Sequence, residues 1–115
     1  MLKIFHNPHC RKSREGLEFL KSKTSSFELV DYLKNGLNES DLKEILLKSN
    51  LEPIQIIRTK EGLYRKELKG KNFNREEWIK IICENPKLLQ RPFIVGRHKA
   101  VLGDPVASIE EVLHK

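Results

Sequence analysis

Leu2-Lys3-Ile4-Phe5-His6-Asn7-Pro8-His9-Cys10-Arg11-Lys12-Ser13-Arg14 is the stretch on which the fold turns. Its short apolar start reads as a strand. The residues from Cys10 onward open an amphipathic helix to about Lys23, with Ser13, Gly16, Leu17 and Leu20 on one stripe. A cysteine therefore stands where a strand becomes a helix. Unpaired backbone N–H groups and the positive end of the helix dipole favour a thiolate there, so the pKa of Cys10 should fall below the roughly 8.5 of a free thiol. Arg11, Lys12 and Arg14 then put three cations into the first turns, where the dipole by itself prefers acids. Violations of this kind collect at functional sites, and an anion, either the thiolate or a bound ligand, offsets their cost. The plainer alternative is an inert cysteine packed as a small hydrophobe.

Working outward, Lys23-Thr24-Ser25-Ser26 breaks the helix and Phe27 to Tyr32 reads as a second strand, giving a compact right-handed βαβ unit with parallel strands. Asn35-Gly36 marks a turn, and Asn38 with Asp41 reads as an N-cap and acidic first turn for a helix bearing Leu42, Ile45, Leu46 and Ser49. Pro53, Ile54 and Ile57 point to a short helix ending near Arg58. Thr59 to Phe73, broken by Gly62 and Gly70, reads as irregular. Asn74 with Glu77 caps a helix carrying Trp78, Ile81 and Ile82 that stops before Pro86. Phe93-Ile94-Val95 and Ala100-Val101-Leu102 flank a hairpin signal at Gly96-Arg97-His98-Lys99. Asp104-Pro105 supplies an N-cap and first-turn proline for a last helix with Val106, Ile109, Val112 and Leu113. The expected fold is α/β. A four-stranded mixed sheet is flanked by helices in one domain over 1–115, with a helical insertion at about 36–90 between the second and third strands.

The chain has 115 residues, enough to bury a core without disulfide or metal support. Two cysteines do not make a secreted disulfide framework, and no basic-then-apolar leader is evident, so a reduced cytoplasmic setting is expected. No apolar run approaches the ~20 residues of a membrane helix. The net charge of +6 is spread among acids and without interleaved aromatics, so it reads as solvated surface with a mild preference for anionic ligands and not as a nucleic-acid face. No histidine and cysteine pair has metal-ligand spacing, and no bound metal or cofactor is expected. Cys83, among Ile79, Ile81 and Ile82, reads as core packing. His9 reads equally as a tuner of Cys10 or as loop filling, and His98 and His114 read as solvated.

Four motifs, in order and at family-like spacing, resemble the thioredoxin-fold family of glutaredoxin-dependent arsenate reductases and Spx-type regulators. They are Ile4 to Cys10 followed by Ser13-Arg14, Ile56-Ile57-Arg58, Asn85-Pro86-Lys87-Leu88-Leu89-Gln90-Arg91-Pro92, and Gly103-Asp104-Pro105. The resemblance covers nearly the whole chain and implies a thioredoxin-like fold. It makes Cys10 the nucleophile, His6 a residue that helps keep it ionised, and Arg58 and Arg91 the holders of an oxyanion. Pro92 matches the cis-proline that presents backbone to a thiol substrate. Further substrate contacts are expected from Asn7, Arg11, Lys12, Ser13 and Arg14. Ser13 stands where Spx-type proteins carry a second cysteine, so Cys10 lacks a resolving thiol one turn away and must borrow reducing equivalents from glutathione and glutaredoxin. Asp104 stands where the arsenate reductases have a third arginine. It is expected to cap its own helix, with Arg97 of the hairpin as substitute cation. The implied activity is arsenate reduction. The alternatives are a glutathione-dependent thiol-disulfide reductase that does not act on arsenate, and a Spx-like regulator that binds RNA polymerase.

Overall fold

In the computed structural model, which describes residues 2–113, strands β1 (Leu2–Phe5), β2 (Phe27–Val30), β3 (Phe93–Val95) and β4 (Ala100–Leu102) form one sheet in the order β2-β1-β3-β4. β1 is parallel to β2 and antiparallel to β3, and β3 is antiparallel to β4, so the sheet is mixed as the sequence predicts. Alternation along the strands divides the core into two layers. Ile4 and its register partner Ile94 face α1 (Arg11–Lys23) and the C-terminal segment, meeting Leu17, Leu20, Ile109 and Val112. Phe5, Phe93 and Val95 face the other way, onto α3 (Glu39–Ser49) and α4 (Arg75–Glu84), where Leu42, Ile45, Leu46, Trp78, Ile79 and Ile82 complete the layer. Both long insertion helices start at the asparagines the sequence marks: Asn38 Oδ1 accepts the Asp41 N–H at 2.7 Å and Asn74 Oδ1 accepts the Glu77 N–H at 2.8 Å.

The buried stripe of α1 is Ser13, Gly16, Leu17 and Leu20, and Gly16 sets how closely the helix approaches the sheet. A Cβ there would lie 2.6 Å from Pro92 Cγ, and the buried proline ring has no rotamer through which to retreat. Gly16→Ala is therefore expected to destabilise the protein by about 1–3 kcal/mol through overpacking, despite alanine's better helix propensity. Urea melts check this. An unchanged midpoint would mean that α1 can slide.

The structure corrects the expectations for the irregular segments. The second strand ends at Val30, not Tyr32, because Asp31 accepts the Lys34 N–H and caps a single helical turn, α2 (Tyr32–Asn35), left through Gly36 at φ 90. The Pro53 segment is a 3-10 turn, Pro53–Ile56, whose three-residue period buries Pro53 and Ile56 and leaves Ile54 exposed. Ile57 is already extended and bridges Leu89. The stretch expected to be irregular contains a π-helical turn, Tyr64–Leu68, that buries Leu68. In α4 it is Ile79, more than Ile81, that joins Ile82 in the core. The last helix begins as a 3-10 turn, Val106–Ile109, and continues as α5 (Glu110–Leu113), with Pro105 and not Asp104 at its N-cap. His114 lies outside the described residues.

Candidate active site

The carboxyl end of β1 leads directly into the cysteine loop. Cys10 occupies the N-cap position of α1 in extended conformation, φ −100 and ψ 123. Its thiol pKa is lowered from the ordinary value. Partial burial pushes it up, but the Ser13 N–H, the Arg91 guanidinium as donor and as charge, and the Lys12 N–H together push it further down. The amide contribution follows from position, since an N-cap side chain faces the second and third N–H groups of the helix, here those of Lys12 and Ser13. Cys83 is the opposite case: burial, with Glu39, Asp41 and Glu84 nearby, pushes its thiol up to about 11, and it packs against the helical core as expected.

His6, Asn7 and Ser13 are buried and hold the loop together. Ser13 Oγ accepts the Asn7 N–H at 2.9 Å and lies 2.7 Å from His6 Nδ1. Burial lowers the His6 pKa against the opposing pull of Asp31. With the ring neutral, Nδ1 can accept a hydrogen bond from the Ser13 hydroxyl while Ser13 Oγ accepts the Asn7 N–H. Asn7 Oδ1 accepts the His9 N–H at 2.9 Å, and Arg14 Nη1 donates to Pro8 O at 3.0 Å. Of the residues the sequence proposes for substrate binding, Asn7, Ser13 and Arg14 thus tie the loop to the helix and do not line the cleft.

Cys10 opens onto a cleft of about 470 Å³. One wall is the start of α1, with Arg11 and Lys12. The facing wall carries Arg58 and Arg91, separated by 33 residues in sequence but joined by pairing of their segments. Arg58 N donates to Leu88 O at 2.6 Å, Gln90 N donates to Ile56 O at 2.9 Å, and Ile57 bridges Leu89. Arg91 Nη1 donates to Lys87 O at 3.3 Å, while its Nε is buried with no hydrogen-bond partner. Pro92 follows through a cis peptide bond, and its carbonyl accepts the Gly103 N–H at 2.7 Å.

Asp104 also lines the cleft, where its Oδ2 lies 2.8 Å from Lys12 Nζ; Asp104 pairs with α1 and caps no helix. Arg97 is corrected as well. It is exposed in the β3–β4 hairpin, at the end of the sheet where β1 begins, whereas Cys10 follows the other end. It cannot substitute for a cation in the cleft. Sequence reading missed Glu61, whose carboxylate pairs with Arg58, and Lys60 at the rim. The three-residue spacing of Arg58 and Glu61 was the available signal. Among the described residues no group of acids, histidines and cysteines is arranged to hold a metal ion.

The chain matches the model of the ArsC family over residues 5–112. It is 37% identical to an arsenate reductase of Neisseria meningitidis (serogroup A) over 114 residues, 97% of each chain. Its structure matches that of an arsenate reductase from Vibrio cholerae with a TM-score of 0.90 and 30% identity, over 96% of each chain. It is also 26% identical, over 104 residues, to the global transcriptional regulator Spx of Streptococcus agalactiae, covering 90% of this chain and 76% of that protein.

Proposed function

The chain belongs to the ArsC family, and from that premise we propose that it is a thiol oxidoreductase that reduces arsenate with a single nucleophilic cysteine. The observation that carries this reading is a thiolate-favouring Cys10 in a cleft walled by Arg58 and Arg91. The arginines hold the oxyanion while the sulfur attacks arsenic and an arsenate oxygen leaves as water. Attack by glutathione on the bound sulfur then gives arsenite and a Cys10–glutathione disulfide. Two thiols are oxidised as arsenic(V) becomes arsenic(III). Ser13, buried between His6 and Asn7, offers no second thiol, so glutaredoxin removes the glutathione. His6 acts at one remove, by fixing Ser13 and with it the first turn that faces the sulfur.

Purified protein given arsenate, glutathione and glutaredoxin should release arsenite at a rate that depends on all three. Asp104 in the cleft favours a second reading, glutathione-dependent disulfide exchange without arsenate. Absence of arsenite, with retained release of glutathione from a mixed disulfide, would select it. A Spx-like role has less support, because Ser13 replaces the partner thiol of the usual switch. Retention by the polymerase alpha C-terminal domain in a pull-down would revive it.

A further inference from the structure

The cations around Cys10 do not stand unopposed. Arg58 is paired with Glu61, and both side chains are about two-thirds buried, at 32% and 27% exposure. Lys12 is paired with Asp104 at 2.8 Å across the mouth of the cleft. Arg11 is paired with Glu15 at 3.1 Å and is largely solvated. Arg91 keeps a buried Nε–H without a partner and lends its charge to the sulfur. The thiolate therefore answers Arg91, the carboxylates answer Arg58, Lys12 and Arg11, and Lys60 at the rim leaves a surplus of one positive charge.

We infer that Glu61 and Asp104 are specificity-determining residues that make this anion site select singly charged oxyanions over doubly charged ones. A dianion entering the cleft overdraws the single surplus charge. It must also either detach Arg58 from Glu61 or lie beside two carboxylates it repels. A monoanion between the Arg58 and Arg91 side chains that line the cleft has its charge matched. Arsenate exists near neutral pH as both a monoanion and a dianion, so a site of this kind takes the monoanion, whose two protons leave with the departing oxygen as water, whereas the dianion would have to expel hydroxide.

The inference rests on the proposed reading of the cleft as an anion site next to Cys10, but it does not need turnover. The test is protection of Cys10 from a neutral alkylating reagent, at neutral pH and low ionic strength. Sulfate is compared with methanesulfonate, a tetrahedral sulfur oxyanion of the same geometry and half the charge. In the wild type, methanesulfonate should half-protect at a concentration several-fold below that of sulfate. Glu61→Gln and Asp104→Asn keep shape and remove one negative charge each, and each should move the ratio about tenfold toward sulfate. Sulfate protecting as well as methanesulfonate in the wild type, protection by neither, or an unmoved ratio in both variants would overturn the inference. The wild-type comparison decides even if a variant fails to fold. Loss of arsenite production with the ratio intact would strike only the proposed reaction.

Discussion

Cys10→Ser is expected to abolish arsenite production, by a factor on the order of 10⁴ or more, as removal of a nucleophile does when no second group can take its place. The chain holds no such group. Cys83 packs into the helical core with its pKa pushed up to about 11, and the residue one turn from Cys10 is a serine committed to the His6 and Asn7 loop. The same substitution should remove the fast phase of alkylation. A pKa below the ordinary value keeps Cys10 reactive as pH falls through a range where a normal thiol, of pKa roughly 8.5, is mostly protonated. Stopped alkylation at pH about 6, with the site of modification mapped by mass spectrometry, checks both statements. Equal rates at Cys10 and in a model peptide would remove the basis of the mechanism, and arsenite from the serine variant would remove Cys10 from it.

Arg91→Ala has the next largest expected effect, because in the proposed mechanism one side chain serves the sulfur and the anion together. Losing its charge and its donor should raise the Cys10 pKa, so the alkylation profile should move to higher pH and the thiolate fraction at neutrality should fall. Losing its forked grip on the oxyanion should lower turnover by roughly 10²–10³, the usual effect of removing one transition-state donor. Arg91→Lys restores charge without the fork and should recover the alkylation profile better than the turnover. The fold should survive, since apart from the Cys10 sulfur the Arg91 bonds are to the Lys87 and Leu89 carbonyls, at a long 3.3 and 3.5 Å. Its Nε is buried without a partner, at a cost of about 1–3 kcal/mol. If Arg91→Ala leaves the alkylation profile unmoved, the first-turn amides alone hold the thiolate.

Legibility from sequence depended on whether the deciding interactions were local. The short apolar run Leu2–Phe5, the stripe Ser13, Gly16, Leu17 and Leu20, and the asparagine caps at 38 and 74 are each local in sequence, and each appears in the structure as the sequence predicts. The Pro53 and Thr59–Phe73 segments depart from expectation because 3-10 and π turns leave no strong periodic mark, and burial of Ile56 and Leu68 in the core shared with α3 and α4 selects them.

By itself the sequence determined the strand-to-helix junction that places Cys10 at a helix N-terminus, because backbone dipoles and amides are set by local conformation. Only the tertiary structure decided which charges that cysteine meets. Pairing between Ile56–Arg58 and Leu88–Gln90 puts Arg58 and Arg91 on one wall. The sheet topology sends Arg97 to the far end, and the turn after β4 aims Asp104 at Lys12 instead of at its own helix. Coulomb energies depend on distances through space, and those follow from the packing of segments remote in sequence.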